Sequence, residues 1–366
     1  MYLKKISMRA VRNYKVLDLE LGSGLNLFHG DNAQGKTNLL EAVHILGSLR
    51  SFRGVKAQSV ISWEEKAARI SGRMVTGAGA KGHTQAHELK VDLEKAGRRP
   101  WLDGKKPESS ARYLLALRVI SFSPEDLFLV KEYPSSRRRF LDRSIFHATP
   151  GYLDVATRYG AAVRQLNAAL KARDVKVVAS FEEVFAPLAA DVGFRRRARA
   201  EELMPVAAEL FDKVLGAGSL GLLYKSHAKG RDKTELEVCY RAILEKKRQD
   251  SIKRGHCLAG PHTDDLALTI SGRELKVTAS RGQSRLALLA LVLADARLYH
   301  EQSGEQPVLL LDDAVSELDD RRKEALLEYV SGLGQVLFTS TDKTLLKGKG
   351  SSFKVTADPE GWAEIN

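Results

Sequence analysis

Gly30-Asp31-Asn32-Ala33-Gln34-Gly35-Lys36-Thr37 has the spacing G-x-x-x-x-G-K-T, and each part of it suits a bound phosphate. Gly30 and Gly35 let the backbone curl until its N–H groups converge on phosphate oxygens. Lys36 supplies a point charge for the β- and γ-phosphates, and the Thr37 hydroxyl offers an oxygen to Mg²⁺. The start of the helix that follows adds the positive end of its dipole. The stretch predicts a site for a nucleoside triphosphate and Mg²⁺, formed by Gly30 through Thr37.

A second acidic feature complements it. Val308-Leu309-Leu310-Leu311 reads as a central parallel strand buried on both faces, and it ends in Asp312-Asp313. The carboxyl ends of such strands are where doubly wound sheets bind ligands. Asp312 is placed to orient Mg²⁺ together with Thr37, and Asp313 to polarise the attacking water. Phosphoryl transfer asks a protein mainly for positioning and charge stabilisation. The catalytic set read from the sequence is therefore Lys36, Asp312 and Asp313.

Ser280-Arg281-Gly282-Gln283 opens a long apolar-rich helix. A Ser there is an N-cap first. The hydroxyl, the glycine backbone and the helix dipole also make an anion site suited to a γ-phosphate, which adds Ser280, Gly282 and Gln283 to the nucleotide set. One chain has little use for two cradles on one triphosphate. Two chains related by a twofold axis do, each offering its Ser280 turn to the other's Gly30–Thr37 loop.

These residues need an α/β scaffold. Alternating runs at 2–9, 16–21 and 25–28 predict strands, and Leu39, Leu40, Val43, Leu46 and Leu49 recur at helical spacing over 36–49. Strand patterns follow at 68–75 and 87–93, separated by Gly77, Gly79 and Gly82, which suit a hairpin tip. From about 124 to 215 the pattern is helical, with Pro134, Pro150, Pro187 and Pro205 expected as punctuation. Strands at 266–270, 308–311 and 335–339 then alternate with helices at 281–299 and 320–330. The expected architecture is an α/β ATPase lobe built from 1–123 and 219–366, with a helical insertion lobe at 124–218 and no sustained heptads.

The 366 residues carry 58 Lys+Arg against 46 Asp+Glu, a formal charge of +12 that favours an anionic partner. Basic clusters stand at Arg137-Arg138-Arg139, Arg195-Arg196-Arg197 with Arg199, Lys246-Lys247-Arg248 and elsewhere; each reads either as a solvated helix face or as a nucleic-acid contact. Aromatic residues are 7% and are not interleaved with these clusters, so binding by charge, independent of base sequence, is expected. No apolar run reaches membrane-spanning length, and Cys239 and Cys257 have no metal-site spacing. These features argue against a membrane protein and a disulfide scaffold, and they lead to a cytoplasmic expectation.

The ordered set of motifs resembles the ABC-type ATPase heads, and most closely the RecF family of bacterial DNA replication and repair proteins, related to SMC-like ATPases. The similarity runs through Arg12-Asn13-Tyr14, the segment Asn32–Ala42, Ser123–Leu127, Arg137–Asp142, Gly260-Pro261-His262 with Asp264-Asp265, Ser280–Gln283, and Asp312-Asp313 through Asp319. Thr263 stands where the family carries Arg. No glutamine occupies 121–125, where many ABC heads have one, and Thr341-Asp342 falls where many carry a switch histidine. His262, between Pro261 and the two aspartates, reads as a structural hydrogen-bonding residue.

The resemblance implies a slowly hydrolysing ATPase that dimerises on ATP, binds single-stranded, gapped or duplex DNA, and works with RecO and RecR to load recombinase at gaps in recombinational repair, replication restart and the SOS response. It implies that Ser280–Gln283 is the signature motif and that Ser316–Asp319 meets the partner copy. The alternatives are a transporter ATPase subunit, a chromosome-organising head, and a small-molecule kinase or GTPase. The first two share the nucleotide motifs, but not the RecF arrangement at Ser123–Leu127 and Gly260–Asp265 in a transporter, nor the absence of a long heptad insertion in a chromosome head. The third leaves the Ser280 turn unexplained.

Overall fold

The computed structural model describes residues 1–76, 85–127, 129 and 133–365. The glycine stretch expected as a hairpin tip lies outside the described residues. The strands that flank it, Ala67–Thr76 and Gln85–Glu94, pair antiparallel from Ala67↔Glu94 to Thr76↔Gln85.

The chain divides into two compact units, one of residues 1–127, 210–217 and 285–366, the other of 128–209 and 218–284. This differs from the expected lobes, which returned the chain to the ATPase part at 219. The strand Leu220–Lys225 pairs with Asp265–Ile270 in a small sheet of its own. The helix Lys233–Arg254 packs on Val175–Glu209. That stretch therefore joins the helices.

The first unit holds two sheets. One is antiparallel: in spatial order Tyr14–Glu20, Tyr2–Val11, Ala67–Thr76, Gln85–Glu94, Gly97–Leu102. The other has a parallel centre, ordered Ala363–Ile365, Ser351–Ala357, Leu25–His29, Val336–Ser340, Val308–Leu311, Val119–Phe122. Every residue of Val308–Leu311, Val336–Ser340 and Val119–Phe122 is buried, as strands covered on both faces require. The helix Lys36–Ser48 is buried continuously from Leu39 to Gly47 and belongs to the core that joins the two sheets. Gln335, wholly buried, ties them further: its side chain accepts from Leu3 N and donates to the carbonyls of Leu3 and Gly22. Those bonds satisfy backbone groups that would otherwise be buried unpaired.

In the second unit the helix Val175–Glu209 runs for 35 residues with Pro187 and Pro205 inside it, so these prolines do not punctuate. A proline costs a helical hydrogen bond and bends the helix. The buried face of Phe185, Ala186, Ala189, Ala190 and Val192 holds it continuous. Pro134, by contrast, opens a helix at its first turn, Pro134–Ala148.

In the basic clusters at 137–139 and 195–199, Arg139 is exposed, but Arg137, Arg196 and Arg199 are neither on plain solvated faces nor free cations. Arg137 and Arg196 are almost wholly buried, each in a bidentate pair, with Asp265 (2.6 and 2.9 Å) and Asp142 (2.7 and 2.8 Å) respectively. Arg196 also donates to Pro261 O, and Arg199 to Ser144 Oγ. His262 is hydrogen-bonded through both ring nitrogens, to Tyr159 Oη and Cys257 O, which is the structural role its context predicts. Thr263 Oγ1 donates to Gly260 O, closing the turn at the position where the family has Arg. No described helix is long and apolar enough to cross a membrane.

Candidate nucleotide-binding site

The strand Leu25–His29 delivers the chain into the loop 30–35, and the helix Lys36–Ser48 takes it away. Gly30 has φ +146°, and a Cβ there would lie 2.2 Å from Val355 O in the neighbouring strand. Gly35, at φ +116°, is the helix N-cap. Both positions demand glycine, for the backbone conformation and for the space. Ala33 also takes a left-handed conformation, φ +66°. Lys36 Nζ bends back to donate to the carbonyls of Gly30 and Asp31, 2.6 Å each, and its burial lowers its pKa against the pull of Asp313, Asp312 and Asp31.

The loop is braced from outside. The Gln34 side chain accepts from Ala357 N in the C-terminal hairpin. Tyr14 Oη donates to Gly35 O, while Asn13 Nδ2 donates to Gln34 O and its Oδ1 accepts from Asn38. Arg12 donates twice, at 2.9 Å each, to the fully buried Glu41, which also accepts from Ser51 Oγ and Arg53 Nη1.

At the end of Val308–Leu311 the two aspartates diverge. Asp312 Oδ1 accepts from Thr37 Oγ1 at 2.9 Å and from Thr339 Oγ1 at 2.7 Å, with the residue 3% exposed. Burial raises its pKa, opposed by those hydroxyls. Asp313 has φ +51°, uncommon for a side chain of its type, and its N–H donates to Thr339 Oγ1. Its Oδ2 accepts from Ser316 Oγ at 2.9 Å and from Arg285 Nη2 at 3.2 Å, while Arg285 Nη1 reaches Glu317 Oε1.

These parts enclose a cavity of about 330 Å³. Asn32, Ala33, Gly35, Lys36 and Thr37 line it from the loop, and Asp312 and Asp313 from the strand end. Asn38, Arg53, Pro124, Glu125, Thr339, Ser340 and Thr341 complete the wall. The sequence-predicted loop and aspartates thus converge, save that Gly30, Asp31 and Gln34 build the loop without lining the cavity. Ser280, Gly282 and Gln283 are not among the lining residues. They form a reciprocal cap in the second unit: Gln283 N donates to Ser280 Oγ and Ser280 N to Gln283 Oε1. No atom outside its own turn crowds Gly282, which leaves its backbone approachable. Asp342 is turned outward and accepts from Thr344, whereas Thr341 lines the cavity.

Sequence reasoning missed Arg53, Glu125, Arg285 and Thr339 at this site. None belongs to a spacing pattern with the loop; only the fold brings them there. Two sequence hints exist: Thr339 is a polar residue closing the apolar run Val336-Leu337-Phe338, and Glu125 lies in the Ser123–Leu127 segment singled out above.

A hydroxyl and a nearly inaccessible carboxylate 2.9 Å apart form a donor set of hard oxygens that suits a divalent cation such as Mg²⁺. Beside it, a glycine loop at a helix N-terminus and a lysine suit a polyphosphate.

The family profile described as RecF/RecN/SMC N terminal domain matches residues 2–363. The DNA replication and repair protein RecF of Listeria monocytogenes serotype 4b is 36% identical over 350 residues, 93% of each chain. The solved structure of the recombination mediator protein RecF-ATP in the RecFOR pathway superposes with a TM-score of 0.88 at 30% identity, covering 100% of this chain and 99% of that one. The Smc head domain of Pyrococcus furiosus, at 16% identity and a TM-score of 0.60 over 100% of this chain and 96% of that one, shares the ABC-type ATPase fold. Likeness of that extent, over a span that includes the phosphate loop and the aspartate strand, places this chain in the RecF family of DNA replication and repair proteins.

Proposed function

We propose that the chain binds Mg²⁺ and ATP in the cavity above Gly30–Thr37 and uses slow hydrolysis as a dimerisation switch on DNA. The observation that carries this reading is the meeting of Thr37 and Asp312 at 2.9 Å beside Lys36. When bound, Mg²⁺ neutralises phosphate charge and polarises the phosphoryl oxygens. Thr37 and Asp312 would hold it, the loop N–H groups and Lys36 would hold the phosphates, and Asp313 would orient the water.

The Ser280–Gln283 turn serves the partner copy's triphosphate, and Ser316–Asp319 meets that copy. Hydrolysis then removes the contact to Ser280 and loosens the pair. ATP-dependent closure joins two basic surfaces that otherwise repel, and DNA phosphates favour the same state. The solved relative belongs to a pathway with RecO and RecR, and we assign the same partners, and the cytoplasm, to this chain.

Sedimentation with and without ATP and DNA tests the reading. Dimers that need ATP and form more readily on gapped or duplex DNA support it. A monomer under every condition overturns the switch and leaves Ser280 as a cap alone.

A further inference from the structure

We propose that Thr339 is a positioning residue for hydrolysis, its single hydroxyl setting the Asp312 carboxylate and the Asp313 backbone at once. The inference rests on the nucleotide reading above and extends it to a residue outside the recognised motifs.

A hydroxyl has one hydrogen to donate and lone pairs to accept with. Thr339 uses both: Oγ1 donates to Asp312 Oδ1 at 2.7 Å and accepts the Asp313 N–H at 2.8 Å. The first bond fixes the carboxylate rotamer that also meets Thr37. The second secures the amide of a residue whose φ of +51° is uncommon for a non-glycine residue, and so helps to settle where the Asp313 carboxylate points. Thr339 aims from a rigid base. Its strand pairs on one side with Leu25–His29, Thr339 opposite Phe28, and on the other with Val308–Leu311.

Packing does not explain the hydroxyl. All of Val336–Ser340 is buried and Thr339 is 1% exposed, among Val, Leu and Phe neighbours that valine would join with nearly the same volume. A buried hydroxyl costs desolvation unless it is bonded. Here both bonds go to the two residues on which metal binding and water activation depend.

The test compares wild type, Thr339→Val and Thr339→Ser. Equilibrium binding of a fluorescent ATP analogue is measured in EDTA and in Mg²⁺, beside steady-state hydrolysis. In EDTA, the valine variant should bind within about threefold of wild type, because the phosphate loop is untouched. The gain in affinity on adding Mg²⁺ should shrink about fivefold or more, and turnover should fall about thirtyfold or more. Serine, which keeps the hydroxyl, should restore both to within about threefold. If valine proves too disruptive to fold, Thr339→Ala removes the same hydroxyl without the added methyl. A hydroxyl-free variant with wild-type Mg²⁺ response and turnover, or a serine variant as impaired as valine, overturns the proposal. Wild type that binds no nucleotide would instead overturn the nucleotide reading itself.

Discussion

Arg285 Nη2 stands 3.2 Å from Oδ2 of Asp313, and Arg285 is almost wholly buried whereas Asp313 is open to the cavity. The arginine is the fifth residue of the helix opened by the Arg281 turn, and it divides its donors between Asp313 and Glu317. Such a pair orients more than it stabilises, because a buried guanidinium loses hydration for each bond it makes. Arg285→Gln should therefore lower turnover about tenfold while ATP affinity stays within about threefold, the pattern of a lost transition-state arrangement. Steady-state hydrolysis beside direct nucleotide binding checks it. An affinity loss as large as the turnover loss would show that Arg285 acts on the loop and not on Asp313.

Lys36 is a compact charge enclosed by loop carbonyls at 2.6 Å. Arginine keeps the charge but spreads it over a planar fork that is too wide for the same enclosure. Lys36→Arg should reduce hydrolysis by about a hundredfold or more, with binding reduced less than about tenfold. Isothermal titration and a phosphate-release assay separate the two effects; hydrolysis at the wild-type rate would remove Lys36 from the chemistry.

Glu41 shows how the loop is braced from behind. Two arginines and a serine converge on a carboxylate with no solvent access. Removing one member of a buried charge cluster leaves the others unpaired, which costs about 3–5 kcal/mol. Glu41→Ala should lower the stability of the first unit by that order in urea denaturation, and weaken nucleotide binding through the released Arg12-Asn13-Tyr14 turn. A loss below about 1 kcal/mol, the scale of an exposed pair, would mean that the cluster is not energetically buried.

The phosphate loop and the aspartate strand were legible because their chemistry needs fixed residue types at fixed spacing, and Gly30 and Gly35 adopt backbone shapes that few residues can. Strands such as Val308–Leu311 were legible from composition alone. What was not legible came from tertiary placement. Arg53, Glu125 and Thr339 reach the cavity, and Arg285 reaches the cavity-lining Asp313, from segments with no periodic relation to the loop. Arg137 and Arg196 look like nucleic-acid contacts in a chain of net charge +12, yet their partners Asp265 and Asp142 lie far away or in another helix, so the pairs appear only in the fold. The division at 218–284 was missed for a similar reason: Leu220–Lys225 is too short to declare which strand it pairs with.

That burial makes a prediction for nucleic acid. Arg196 is almost wholly buried, bonded bidentately to Asp142 and donating to Pro261 O, so its guanidinium is engaged inside the unit and not presented to a phosphate backbone. Arg196→Ala should cost about 3–5 kcal/mol of stability in the second unit. In the folded Arg196→Lys protein, the dependence of DNA affinity on salt should keep its slope, whereas removing one true phosphate contact reduces that slope by about one. Fluorescence anisotropy across a salt series measures it, and a reduced slope would make Arg196 a DNA contact.

His262 should give the second unit a measurable acid sensitivity. Its Nδ1 lies 2.7 Å from Tyr159 Oη, which also accepts the His262 backbone N–H at 3.0 Å, and its Nε2 lies 3.0 Å from Cys257 O. One neutral tautomer fits all of these: Nε2–H donates to the carbonyl, and the tyrosine O–H donates to Nδ1. A proton on Nδ1 would face a hydroxyl that is already an acceptor. Burial lowers the His262 pKa below 6.5; the Cys257 carbonyl opposes this, Arg138 and Arg196 add to it, and Asp264 works against it. A group whose folded pKa is depressed contributes stability that is full above its unfolded pKa and is lost as pH falls through that value toward the folded one. The thermal midpoint of the second unit should therefore drop between about pH 7.5 and about pH 5.5 more steeply in wild type than in His262→Gln. Asp264, whose pKa burial raises, acts in the opposite sense in its own window and is present in both proteins. Equal slopes in the two proteins would mean that His262 takes up its proton in the fold as readily as in the unfolded chain, contrary to the closed arrangement around its ring.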